Sequence, residues 1–106
     1  MEQPDATIHQ PVRLKIMAAL KALPDREQIE FVRLKALVGA TEGNLGAHLS
    51  TLEQAGYIDV EKDFDGKKPR TRVRLARGGR RAFDDYVAYL KEIVDASGVT
   101  EKAGQR

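Results

Sequence analysis

The apolar positions of this chain switch period twice, and each switch marks an element boundary. Met1 to Thr7 has no periodicity and reads as a flexible tail. From Pro11, a residue suited to the first turn of a helix, Val12, Ile16, Leu20 and Leu23 share one side while Arg13, Lys15 and Lys21 lie elsewhere. This spacing predicts an amphipathic helix that Pro24-Asp25 stops. Residues 25–30 are polar and turn-like, and Phe31 belongs either to a very short strand or to the entry of the next helix. Leu34, Leu37 and Val38 predict a short helix over Val32 to Val38, interrupted by Gly39-Ala40.

The most clearly marked helix covers residues 42–55. Thr41 is a good N-cap, and Glu42 places a negative charge where the helix dipole favours it. Gly56 closes the run, because glycine readily takes the left-handed conformation that ends a helix. Leu45, Leu49 and Leu52 form its apolar stripe, while Gly43, Asn44, Ala47, Ser50, Thr51 and Gln54 point away from it. That second face is small, polar and uncharged.

After Gly56 the period falls to two. Ile58, Val60 and Phe64 alternate with Asp59 and Glu61, as in a half-buried strand. Asp65-Gly66 is a turn signal, and Lys67, Lys68 and Pro69 extend the loop. In the next run Thr71, Val73 and Leu75 face one way and Arg70, Arg72 and Arg74 the other. The hairpin, residues 57–75, follows a short helix, a glycine-containing turn and a longer helix, which is the order of a helix-turn-helix carrying a wing. Gly78-Gly79 reads as a boundary before a last helix over residues 78–96. Its apolar residues Phe83, Tyr86, Val87, Leu90, Ile93 and Val94 lie close to a seven-residue repeat. A stripe this wide, beyond the wing, points to a subunit interface; packing on the first helix of the same chain is the alternative. Residues 97–106 read as a second flexible tail. The expected fold is mainly α with a small β-hairpin (α+β), forming one domain over residues 8–96.

Composition narrows the chemistry. The chain has 106 residues, 42% of them hydrophobic and 32% charged. No apolar run is long enough for a membrane span, and the N-terminus lacks the basic and apolar regions of a signal peptide. Together with the absence of cysteine, this suggests a cytoplasmic protein. With only His9 and His48 as histidines, neither a thiolate site nor a metal-sensing site is supported. Asp84, Asp85, Glu92 and Asp95 fit a solvated helix face. Without a G-x-S-x-G motif, a cysteine nucleophile or a phosphate loop, there is no basis for an enzyme or a cofactor. The net charge is +2, yet residues 62–81 hold nine cations and two aspartates, a local +7. Such a patch suits a polyanionic partner. The uncharged helix face suits close approach to base edges in a DNA major groove.

The segment carried by Asn44, Leu45, His48, Leu49, Leu52, Glu53, Gly56 and Tyr57, followed by DGKKPRTRVRL and then GGRRAFDDYV, resembles small winged helix-turn-helix transcriptional regulators. These are the compact relatives of the MarR and ArsR groups, and the resemblance covers about residues 8–95. It implies a sequence-specific regulator that binds double-stranded DNA as a homodimer with a C-terminal dimerisation helix. Carried over by position, it assigns DNA contacts to Thr41, Gly43, Asn44, Ala47, His48, Ser50 and Thr51 on the recognition helix. On the wing it assigns them to Lys62, Lys67, Lys68, Arg70, Arg72 and Arg74. The dimer interface falls on Phe83, Tyr86, Val87, Leu90, Ile93 and Val94. If about six cations met phosphates, log K would fall with log salt at a slope near about −5 per subunit. Two features depart from the family pattern. Ala47 stands where relatives present a longer, often basic residue. Leu75-Ala76-Arg77-Gly78-Gly79 lacks the usual threonine, so a frayed start to the last helix is expected. A winged helix that binds protein and a nonspecific architectural DNA binder are the rival readings. The resemblance also leaves room for a small-molecule effector, although no residue pattern singles one out.

Overall fold

The computed structural model describes residues 4–98. Four helices, α1 (Pro11–Lys21), α2 (Phe31–Val38), α3 (Glu42–Gln54) and α4 (Arg77–Ser97), pack with strands β1 (Ile29–Glu30), β2 (Ile58–Asp65) and β3 (Lys68–Leu75). The strands form one antiparallel sheet in the order β1-β3-β2. The fold is α+β. A very short strand was one of the two readings offered at Phe31, but it falls on Ile29–Glu30: two residues carry no periodicity, and β1 exists only through pairing Ile29 with Val73 and Glu30 with Arg72.

The core collects one stripe from each element. α1 supplies Ile16, Met17 and Leu20, α2 Leu34 and Val38, α3 Leu45, Leu49 and Leu52, and the sheet Ile29, Ile58 and Val73. Each such side chain contributes roughly 1.5–3 kcal/mol by leaving water. The end signals of α3 act as their chemistry dictates. Thr41 Oγ1 accepts a hydrogen bond from the Asn44 N–H (3.2 Å). At the other end Gly56 takes φ 80°, while Gly56 N donates to Glu53 O and Tyr57 N to Leu52 O. These two bonds satisfy carbonyls that the helix end would otherwise orphan.

Phe31 opens α2, the second of its two readings. Several expectations are corrected. Leu37, expected on the inner stripe of α2, is 62% exposed. The hairpin turn is only Gly66-Lys67, with Lys68 and Pro69 already in β3. Gly66 (φ 66°) occupies the first central position, where a two-residue turn often needs glycine. Phe64, expected to be half-buried, is 67% exposed because the hairpin outgrows the core. Gly78 and Gly79 lie inside the first turn of α4. A Cβ on Gly79 would stand 1.9 Å from the Tyr57 carbonyl oxygen, so this glycine serves close approach rather than a turn. Ala76 N donates to that same carbonyl (3.0 Å), and Arg80 N to Ala76 O (3.0 Å). The expected fraying is thus countered by backbone contacts that a hydroxyl cap would otherwise supplement.

The segment before α1 is anchored too, at least from Pro4 onward; Met1–Gln3 and residues 99–106 of the two expected tails lie outside the described residues. Asp5 Oδ1 accepts from the N–H groups of Thr7 (2.9 Å) and Ile8 (3.2 Å), and Ile8 is fully buried. The Tyr57 hydroxyl donates to Asp5 Oδ2 (2.5 Å). That bond, with burial and the Asp5 charge, pushes the Tyr57 phenol up to about 12.

Candidate nucleic-acid interface

The outer face of α3 presents Gly43, Asn44, Gly46, Ala47, Ser50 and Thr51 to solvent. Among the described residues, the Asn44 amide and the Ser50 hydroxyl have no protein hydrogen-bond partner, so both are available to a ligand. The Thr51 hydroxyl donates to Ala47 O (3.2 Å), which commits its proton within the helix. Thr41 is exposed, but its oxygen caps the helix. His48 is different: it is half-buried and turned toward α1, with Nδ1 3.2 Å from Arg13 Nη1. A guanidinium can only donate, so Nδ1 accepts and the ring proton sits on Nε2. Arg13 also donates to Thr7 O (2.5 Å). His48 therefore belongs to the seam between α1 and α3, at the margin of the outer face.

The wing corrects the arginine row. Its register places Asp59 opposite Arg74, Glu61 opposite Arg72 and Asp63 opposite Arg70. All three pairs are made. Arg70 donates to both oxygens of Asp63 (2.9 Å each), Arg72 to Asp63 (2.8 Å) and to Glu61, and Arg74 to Asp59 (3.2 Å). The Arg70 hydrogen bonds, with the charges of Arg70 and Arg72, hold the Asp63 carboxyl below its usual range. Asp63 in turn raises Arg70. These arginines form a cross-strand ladder instead of a free basic row. The signal was present in the sequence, because Asp59, Glu61 and Asp63 carry the same period of two.

Lys62, Lys67 and Lys68 differ. Each is exposed, and among the described residues none has a carboxylate at ion-pair distance. Lys62 and its register partner Thr71 lie on the opposite face of the hairpin from the ladder. That face borders a cleft of about 510 Å³ whose other walls include Gly46, Ser50 and Glu53 of α3 and Phe31 of α2. Residues of α3 and the hairpin thus share one concave surface, with Glu53 as its negative member. Arg33, exposed on α2, is a further cation that the sequence reading passed over.

The assigned α4 residues divide. Val87, Ile93 and Val94 are 44%, 38% and 39% exposed, whereas Phe83 and Leu90 pack partly against the core. Tyr86 is buried at 4% exposure, with its hydroxyl 2.7 Å from His9 Nδ1, so it serves its own chain. α4 is about 31 Å long. Its residues 91–97 are all exposed, so the helix runs on beyond the core. Among the described residues no group of His, Cys, Asp or Glu could hold a metal ion, and no helix is long and apolar enough to cross a membrane.

Comparison with known proteins agrees with this geometry. A family profile described as a winged helix DNA-binding domain matches residues 12–94. The chain belongs to that family. An uncharacterised protein of Methanocaldococcus jannaschii is 37% identical over 82 residues, covering 77% of this chain and 86% of the relative. The structure of a transcriptional regulator homologue from Pyrococcus horikoshii superposes with a TM-score of 0.75 at 29% identity, covering 85% of this chain and 86% of that one. A MarR-family protein from Enterococcus faecalis shares the fold at a TM-score of 0.70 and 20% identity, covering 92% and 84%. This winged helix protein is MarR-like in architecture, with α3 as the second helix of the helix-turn-helix and β2–β3 as the wing.

Proposed function

We propose that this winged helix protein is a sequence-specific transcriptional regulator that binds a pseudo-palindromic duplex as a homodimer. One observation carries the reading: the uncharged α3 face, with the Asn44 amide and Ser50 hydroxyl open, borders a cleft in which Gly46 and Ser50 face the wing residue Lys62, a cation with no carboxylate partner among the described residues. Asn44 and Ser50 would read base edges in the major groove, while the lysines meet phosphates. Two copies would pair through Val87, Ile93 and Val94 with the outer edges of Phe83 and Leu90. Two-fold symmetry would then place the α3 helices in major grooves about 34 Å apart.

Selection of bound duplexes from a randomised pool, with the particle mass measured in the same buffer, tests this. A two-fold symmetric consensus and a dimer mass are expected. Because the ladder neutralises Arg70, Arg72 and Arg74, about three lysines per subunit remain for phosphates. The slope of log K against log salt should therefore be about −3 per subunit, not the steeper value that cation counting implies. Duplex binding without a consensus would favour an architectural role. A protein that ignores duplex DNA at low salt would be left as a protein-binding winged helix.

A further inference from the structure

The tip of the wing holds a feature that phosphate contacts do not explain. Phe64 is 67% exposed and stands opposite Pro69 in the register, one pair before the Gly66-Lys67 turn. A lone exposed phenylalanine is ordinary. This one is set apart by its neighbours. Going outward along its face of the hairpin, the pairs run Ile58–Leu75, Val60–Val73, Lys62–Thr71 and finally Phe64–Pro69. The core ends with Val60, so Phe64 has no part in it. It projects past Lys62 on the side that borders the α3 cleft. On the reverse face every arginine is neutralised, whereas Lys62 and Lys67 beside Phe64 are open. Asp65 lies on the ladder side, opposite Lys68. A polyanion is therefore drawn to the side of the tip that carries the aromatic ring.

We infer that Phe64, stiffened by Pro69, is a wedge that enters the DNA minor groove beside the α3 contact and partly unstacks one base step. This rests on the DNA-binding reading above and adds to it an apolar contact and a deformation of the duplex. Apolar side chains inserted between base pairs kink DNA in this way, and a ring can enter where a helix cannot. Pyrimidine–purine steps unstack most readily, so a TA or CA/TG step is expected under the wing. The sequence preference would then come partly from deformability, which suits an α3 face without a cation to clamp guanine.

The chain contains no tryptophan, so Phe64→Trp places a unique indole reporter at the tip. The probe is a duplex that wild-type protein recovers from a randomised pool. On binding, the indole emission should be quenched and shielded from acrylamide. Phe64→Ala should bind that duplex about tenfold more weakly with an unchanged salt slope. Its own recovered pool should lose the TA or CA/TG step. Because Phe64 lies outside the core, both variants should melt like wild type. An indole as open to acrylamide when bound as when free overturns the wedge, as does Phe64→Ala binding within about twofold of wild type. In those outcomes the duplex is still bound and only the wedge falls. Failure of wild-type protein to retain any duplex removes the DNA reading itself, and the wedge with it.

Discussion

The two faces of the wing are built from the same strands, yet they use charge in opposite ways. On one face Asp59, Glu61 and Asp63 meet Arg74, Arg72 and Arg70 across the strands, and the charges are balanced within the sheet. On the other, Ile58, Val60 and Val73 face the core, and the chain then presents Lys62, Thr71, Phe64 and Pro69 outward. Cations counted along a sequence are thus a poor measure of cations offered to a ligand. What matters is whether the strand register sets a carboxylate opposite each one.

The strongest way to break this arrangement is at the hairpin base, where both faces are seated. Gly79 brings the first turn of α4 against the Tyr57 carbonyl, and any Cβ there would overlap backbone. Gly79→Ala should cost roughly 2–4 kcal/mol, since neither the helix nor the α3–β2 connection can yield cheaply. Urea unfolding measures it directly. Gly78→Ala is the control, because a Cβ there meets only the Gly56 carbonyl at 3.2 Å. Equal stability for the two variants would contradict the close approach.

The next contrast separates the open wing lysines from the paired arginines. Replacing Lys62, Lys67 and Lys68 by alanine should lower the magnitude of the salt slope by about 3 and weaken binding alike for all sequences. The double variant Asp63→Asn with Arg70→Gln removes a ladder pair without changing net charge. Its DNA affinity should stay within about twofold of wild type, because that pair offers phosphate no net charge. If the double variant lost as much affinity as the lysine triple, the arginines would be ligand contacts after all.

How much of this was legible depended on whether the deciding contact was local. The α3 helix was readable because its cap, leucine stripe and stop lie within Thr41 to Gly56. β1 was not, since Ile29 and Glu30 become a strand only through Val73 and Arg72. The role of Gly79 depends on a carbonyl more than twenty residues earlier in the chain, so a glycine pair read naturally as a turn. Asp5 and Ile8 looked like tail residues until Tyr57 and the core claimed them. Tyr86 shared the spacing of the α4 stripe, yet its hydroxyl meets His9 and its ring is covered. The ladder was an intermediate case. Its residues alternate visibly, but their pairing depends on the length of the turn, which was overestimated.

The smallest effect comes from pH, which acts on the ladder face through Asp63. Arg70 and Arg72 hold the Asp63 carboxyl below its reference value of 3.8, so the folded chain binds this proton less tightly than the unfolded chain. Stability from Asp63 is therefore fully present above about pH 4 and is lost as pH falls through the lower folded value. Asp63→Asn should be modestly less stable than wild type at pH 7, and the gap should close as pH falls from about 4 through the lower folded value. Denaturant midpoints for both proteins across this range make the comparison. In the variant Arg70 still feels Asp65 and Glu30, so the loss at neutral pH should be partial. A gap that stayed constant into acid would mean the pair holds the hairpin by shape alone, and the electrostatic contrast between the two faces would then have to be withdrawn.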